Sequence, residues 1–128
     1  MGALFDTHAL LWWLAGDGRL ATEARDFIAD PANTVHFSAV NIYEVLYKVR
    51  LGKLSVAPSL LRDLPARLTA LGFTALPVAA AHAARAAVLE FDHRDPFDRL
   101  LVGQALEENL ALLSNESLFD ETAVRRVW

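Results

Sequence analysis

The sequence predicts one α/β domain in which helices cover both faces of a parallel β-sheet. Short, nearly all-apolar runs alternate with helical segments along the chain, which is the pattern of buried parallel strands joined by crossover helices. With 128 residues, of which 54% are hydrophobic and 22% charged, the chain is long enough for one large core and too apolar for a disordered protein. No repeat, linker or low-complexity segment divides it, so residues 1–128 are predicted to form a single domain.

Two strands and two helices are predicted in the first part of the chain. Residues 3–5 form a buried strand, and the helical periodicity that follows them runs to Gly16. A second short helix begins at Thr22 and is stopped by Pro31. Residues 34–37 form the next strand.

The helix after this second strand has an unusual pattern. It is predicted from about residue 40 to residue 51, with Ser38 or its neighbour as the N-cap and Gly52 just past the end. Its apolar side chains cover nearly the whole circumference, which predicts a deeply buried helix.

Proline and glycine divide the next stretch. A single turn at Pro58 precedes a helix that has Pro65 at its start and Gly72 at its end. Residues 73–78 form the third strand, and residues 79–90 form an Ala-rich helix.

The last part of the chain returns to the sheet. A helix at 96–108 leads to a strand at 110–113, a turn at 114–116 and a final strand at 124–128.

Charge and composition exclude several kinds of site. A net charge of −4 and the lack of cysteine argue against a strongly basic nucleic-acid-binding surface, a disulfide framework and a zinc–thiolate site. The apolar run at residues 9–15 follows Asp6 and His8 rather than a basic segment, and it is too short to cross a bilayer. We therefore expect a cytoplasmic protein without membrane association.

Five acids stand where this fold would bring side chains together. Functional groups of an open parallel sheet collect beyond the carboxyl ends of its strands. Asp6 and Glu116 follow predicted strands, Glu44 lies one turn into a helix, and Asp95 and Asp98 begin another helix. If these carboxylates share one crevice, their repulsion requires a compensating cation. Oxygen ligands without cysteine favour Mg²⁺ or Mn²⁺.

The start of the helix predicted at 96–108 also has a purely structural interpretation. Asp95 suits the N-cap, Pro96 the first helical position and Asp98 the third, from which a carboxylate can return to the cap amide. On this interpretation the two acids only stabilise a helix N-terminus.

The other three acids have structural alternatives as well. Asp6 and Glu116 are placed to cap the segments that follow them. A buried Glu44 needs a partner, and Lys48, one turn further along the helix, is the candidate.

Three segments contain most of the candidate acids: residues 4–14 (LFDTHALLWWL), residues 38–44 (SAVNIYE) and residues 93–102 (HRDPFDRLLV). They resemble motifs of the PIN-domain family, in particular the VapC-type toxins of bacterial type II toxin–antitoxin systems. The resemblance runs nearly end to end in the expected order and spacing.

The resemblance implies an acidic metal site on a parallel sheet flanked by helices. It implies a Mg²⁺- or Mn²⁺-dependent endoribonuclease that hydrolyses RNA phosphodiester bonds with a metal-activated water, and a homodimer inhibited by a cognate antitoxin. Matched residue by residue, it implies metal-site and catalytic roles for Asp6, Glu44 and Asp98, with Asp95 as an accessory acid.

The fourth family position departs from its usual form. The family usually has Thr-x-Asp there, and this chain has Ser114-Asn115-Glu116. The resemblance thus makes Ser114 a catalytic candidate and Glu116 a catalytic and metal-binding one, with the acid one methylene longer.

Basic and hydroxyl side chains beside the acids are candidate substrate contacts. Arg94 and Arg99 flank the acids and are placed to bind substrate phosphates, and the alternative is that they pair with the neighbouring acids. Thr7 is a third candidate contact. Among the four histidines, His93 borders the third motif and is the one to test.

Two other functions stay open. The altered fourth position also fits a PIN-like module that binds RNA or a protein partner without cutting. A phosphotransfer domain built on Asp6 is disfavoured, because a haloacid-type phosphatase has a second aspartate where this chain has His8. Metal uptake and RNA turnover distinguish a binding module from a nuclease.

Overall fold

The computed structural model describes residues 1–128 and contains five strands, seven α-helices and one 3₁₀ helix. In chain order they are β1 (Gly2–Phe5), α1 (Thr7–Ala15), α2 (Thr22–Ala29), β2 (Thr34–Ser38), α3 (Ala39–Arg50), α4 (Pro58–Leu61), α5 (Leu64–Ala70), β3 (Thr74–Leu76), α6 (Ala80–Ala87), α7 (Pro96–Glu107), β4 (Ala111–Leu113), the 3₁₀ helix (Ser117–Glu121) and β5 (Arg126–Val127). None of the helices has the length and apolar character needed to span a bilayer.

The sheet is parallel throughout and has the strand order β3-β2-β1-β4-β5. The chain adds β2 and β3 on one side of β1 and then returns to place β4 and β5 on the other side. The carboxyl ends of β1 and β4 are therefore neighbours, and just beyond them the amide of Asp6 donates to the carbonyl of Leu113 over 3.0 Å. Open parallel sheets bind ligands at such a reversal of strand order.

Successive residues of β1 point to opposite faces of the sheet and start two cores. Ala3 and Phe5 pack with residues of α1, α2 and α5, whereas Leu4 packs with residues of α7 and the 3₁₀ helix. The predicted α/β class, with helices on both faces of a parallel sheet, is confirmed.

The two edge strands and α6 are shorter than predicted. The third strand ends at Leu76, before Pro77, which has no amide to donate to a ladder. The last strand has only two residues and pairs on one side only. Helix α6 ends at Ala87, and the carbonyls that follow it turn towards the guanidinium of Arg99.

The expectation that α3 lies deep is wrong for one of its faces. Tyr43, Leu46 and Tyr47 are 58%, 43% and 40% exposed, and the two tyrosine rings stack with their centroids 5.4 Å apart. The opposite face is buried and includes Asn41 and Glu44. The apolar circumference of α3 therefore divides into one core face and one exposed apolar face.

Helices α6 and α7 approach closely because Gly103 has no side chain. A methyl group there would lie 2.9 Å from the Cβ and backbone nitrogen of Ala86 and from the carbonyl oxygen of His82. We expect Gly103→Ala to lower the free energy of unfolding by about 2 kcal/mol, because the backbones must separate. Urea unfolding measures this change. Gly18→Ala is the matched control, since no atom lies within 4 Å of the methyl group that alanine would add there; equal stability of the two variants would contradict the prediction.

Candidate functional site

Asp6 lies at the carboxyl end of β1 and is the N-cap of α1. Its Oδ1 accepts from the Thr7 amide over 2.8 Å, and its Oδ2 accepts from the Ser114 hydroxyl over 2.7 Å. The side chain is buried, and this burial raises the pKa of Asp6 although both hydrogen bonds oppose the change. Asp6 is therefore both a helix cap and an acid held in the crevice of the sheet.

Glu44 lies on the buried face of α3 and has a partner for each oxygen. Oε1 accepts from the Thr7 hydroxyl over 2.6 Å, and Oε2 accepts from the Lys48 ammonium over 2.5 Å. The predicted pairing with Lys48 is confirmed. Thr7 in turn accepts from the Asn41 side-chain amide over 3.1 Å. Thr7 is buried, and its hydrogen bonds orient Glu44. The predicted contact of Thr7 with substrate stays a prediction, and this buried position disfavours it.

Asp98 lies in the first turn of α7 and has a strongly shifted pKa. Burial first, and then the charges of Asp6, Asp95 and Glu44, raise the pKa of Asp98 to about 7. Its Oδ2 lies 2.7 Å from Nε2 of His93. The expected return of this carboxylate to the cap amide is wrong, because the side chain turns to His93 instead. Three acids from three different elements thus lie close enough to repel one another.

Asp95 begins α7 as predicted. Its Oδ1 accepts from the Phe97 amide over 2.9 Å, with Pro96 at the first helical position. The capping role is confirmed, and Asp95 adds to the site a negative charge that acts on Asp98.

Glu116 is not brought to the other acids. Its side chain is exposed, and its Oε1 accepts from the Leu118 amide over 3.2 Å at the start of the 3₁₀ helix. The capping alternative is confirmed, and the role of Glu116 as fourth metal ligand stays a prediction that requires the side chain to leave this cap.

Ser114 connects the fourth position to the first acid. Its buried hydroxyl donates to Asp6 and accepts from the Glu116 amide over 3.0 Å. Its proton is therefore used to orient Asp6.

The two arginines differ in their surroundings. Arg99 donates to four backbone carbonyls, those of Ala86, Leu89, Phe91 and His93. Arg99 therefore stabilises the segment between α6 and α7 and does not pair with an acid. Because its N–H groups already donate to these carbonyls, the predicted contact with a substrate phosphate is disfavoured. Arg94 is exposed beside the acids and forms no ion pair, so its predicted contact with substrate stays a prediction.

Two buried amides support the site, and no sequence motif pointed to a role for them. Asn41 donates to the carbonyl of Phe5 over 3.1 Å and accepts from the amide of Ser38 over 2.7 Å. Gln104 accepts from the Ser38 hydroxyl over 2.5 Å and so ties α7 to the end of β2. Each stands between two nonpolar neighbours within a helix, and this local pattern is the signal that could have identified them.

The acids do not form a ready-made coordination sphere. No three His, Cys, Asp or Glu side chains are arranged so that they could hold a metal ion. The physical reason is that Ser114, Lys48 and His93 already hold oxygens of the three central carboxylates. The all-oxygen donor set and its mutual repulsion fit a hard divalent cation, which would bind after these side chains turn.

The fold and the site define an α/β protein with an acidic crevice at the carboxyl edge of a parallel sheet. The family model of the PIN domain matches residues 3–125. The chain therefore belongs to the PIN-domain family.

Several solved structures of toxin–antitoxin systems contain a chain with the same fold. A chain in the structure of VapBC2 from Rickettsia felis bound to a promoter DNA fragment is 16% identical, with a TM-score of 0.73 and 100% of both chains covered. A chain in a toxin–antitoxin complex from Klebsiella pneumoniae is 20% identical, with a TM-score of 0.62 over 90% of this chain and 87% of the other. A chain of VapBC-5 from Mycobacterium tuberculosis is 15% identical, with a TM-score of 0.61 over 98% and 97%. Among curated proteins, none is significantly similar to this sequence.

Proposed function

We propose that this PIN-domain protein is a metal-dependent endoribonuclease and the toxin component of a type II toxin–antitoxin system. The observation that carries the proposal is the group of Asp6, Glu44 and Asp98, whose repulsion contributes to raising the pKa of Asp98 to about 7. Crowded carboxylates lower the stability of the folded protein unless a cation compensates their charge, and such groups are therefore typical of functional sites. Membership of the family and the toxin–antitoxin complexes among its structural neighbours support the same function.

In this proposal the three acids hold a Mg²⁺ or Mn²⁺ ion. When bound, the ion supplies a Lewis acid and an activated water for attack on a phosphodiester. Ser114 orients Asp6 through its hydroxyl, and Thr7 orients Glu44. Each of these hydrogen bonds holds one carboxylate oxygen in the crevice, and binding of the ion requires the acidic side chains to turn towards it.

The substrate approaches the same crevice from solvent. RNA brings phosphate charges that the acids repel, so a cation and nearby basic groups are needed to admit it. Arg94 is exposed at the start of the third motif and has no ion-pair partner, which suits it to contact the RNA backbone.

The proposal includes a cytoplasmic location, a homodimer and a cognate antitoxin as partner. The toxin–antitoxin complexes among the structural neighbours support the antitoxin. Light scattering on the purified chain measures whether it forms a dimer. Co-expression with the product of any small reading frame immediately upstream tests the antitoxin, which is expected to co-purify and to suppress RNA cleavage.

Metal removal is the direct test of the nuclease. The purified protein is expected to cleave RNA with Mg²⁺ or Mn²⁺, to lose this activity in excess EDTA and to regain it when Mn²⁺ is restored. Asp6→Asn, purified in parallel, controls for a contaminating ribonuclease. Cleavage that persists in EDTA, or that the Asp6→Asn sample shows equally, would contradict the proposal.

A second candidate is a PIN module that binds RNA or a partner without cutting it. Two observations favour it: Glu116 caps the 3₁₀ helix, and no coordination sphere is preformed. Calorimetry with Mn²⁺ distinguishes the two functions, because a binding-only module takes up no metal and shows no turnover.

A further inference from the structure

Lys48 brings a positive charge into the group of acids. It extends from α3, where its Nζ lies 2.5 Å from Oε2 of Glu44. The same Nζ lies 5.7 Å from the ring centroid of Phe97, the residue before Asp98 on α7. Lys48 therefore bridges the two helices that supply two of the three acids.

This contact is mostly shielded from water. The side chain of Glu44 is 4% exposed and that of Lys48 is 26% exposed. Lys48 is also the only lysine or arginine in an ion pair with any acid of the site. The negative charges of Asp95 and Asp98 act on it in addition to that of Glu44. One ammonium group thus contacts Glu44 and is also acted on by the charges of two further carboxylates.

We propose that Lys48 is a built-in cation of the acidic site, which holds the acids together in the metal-free protein and opposes the divalent ion when it binds. The part of this inference that concerns metal rests on the proposed function. A charge of +1 next to a +2 ion costs binding energy, and the low exposure of the pair limits the screening by solvent. Lys48 is a positioning residue here, since it acts through Glu44.

For the metal-free protein, the proposal predicts that removing the charge of Lys48 lowers stability. In EDTA at pH 8, we expect Lys48→Met to lower the thermal midpoint by about 5 °C, because Glu44 loses its partner and the acids lose their cation. Lys53→Met is the matched control, since Lys53 is exposed and forms no ion pair. If the loss comes from repulsion, adding Asp98→Asn to Lys48→Met restores at least half of it.

The same comparison can be made with a milder change. Lys48→Gln keeps a hydrogen-bond donor and removes the charge, so it serves if Lys48→Met does not fold. Equal midpoints for the position-48 variant and for Lys53→Met, or no recovery on adding Asp98→Asn, would overturn the proposal.

For metal binding, the proposal predicts that removing the charge of Lys48 raises the affinity for Mn²⁺. Titration calorimetry with MnCl₂ alone is expected to give a dissociation constant on the order of tenfold lower for Lys48→Met than for the unmodified chain, with Lys53→Met unchanged. An unchanged or weaker affinity of Lys48→Met would overturn the proposal that Lys48 opposes the ion. If the unmodified chain takes up no Mn²⁺, the proposed function fails, and the melting experiment decides separately whether Lys48 is the cation of the site.

Discussion

Asp98→Asn is expected to lower RNA cleavage by more than about a hundredfold. Removing a residue that only supports a metal ligand costs up to about a hundredfold, and Asp98 is proposed to be a ligand itself. Asp98 is the acid on which the charges of Asp6, Asp95 and Glu44 converge. An amide of the same shape keeps the helix start but cannot compensate a divalent ion. Initial rates of cleavage of a fluorescent RNA, at saturating Mn²⁺, measure the effect.

The control for this variant is Asp92→Asn. Asp92 is an exposed aspartate in the segment that precedes α7, so its loss changes the net charge equally without touching the site. The loss of cleavage in Asp98→Asn is not expected to come from unfolding, because removing one of several crowded charges relieves repulsion. Cleavage by Asp98→Asn at the rate of the control would remove Asp98 from the proposed site.

The parallel sheet was predictable because β1 and β4 carry a strong signal. Residues 3–5 and 110–113 are apolar throughout, since they are covered on both faces. The edges were less predictable. A strand of two residues such as β5 is set by pairing with β4, and the exposed face of α3 cannot be distinguished from a buried one by apolar composition alone.

The candidate site was predictable in position and only partly in detail. A chain order that reverses at β1 brings the end of β1 beside the end of β4, so Asp6 and Ser114 meet although 108 positions separate them. The sequence could not predict which side-chain conformation each acid adopts. Glu116 caps the 3₁₀ helix, because a glutamate just before a helix start has that local alternative, and its role as a metal ligand stays a prediction.

The raised pKa of Asp98 makes the stability of the metal-free protein depend on pH in an unusual direction. Its carboxyl has an ordinary pKa of 3.8 when exposed and a pKa of about 7 in the folded protein. Between these values the folded protein keeps a proton that the unfolded chain has released, so raising the pH favours unfolding. The favourable contribution is complete below about pH 4 and is lost as the pH rises through the folded pKa of about 7.

We therefore expect the free energy of unfolding in EDTA to fall by up to roughly 3 kcal/mol between pH 5 and pH 8 because of this group. The other ionisable groups that contact or face it are Asp6, Glu44, Lys48, Asp95 and His93. Asp98→Asn removes the titration of this carboxyl and leaves the neighbouring groups in place. Subtracting its stability from that of the unmodified chain at each pH therefore isolates the contribution of Asp98. Urea unfolding of both proteins at each pH gives the difference.

Saturating Mn²⁺ is expected to reverse this slope, since a bound cation stabilises the ionised carboxylate and binding adds to the stability of the folded state. Parallel stability curves for the unmodified chain and Asp98→Asn would show that the carboxyl is not protonated at neutral pH. A difference that grows from pH 5 to pH 8 in EDTA and changes sign with Mn²⁺ links the repulsion among the acids to the binding of metal. The fold then keeps its acids close at a cost in stability that the divalent ion offsets.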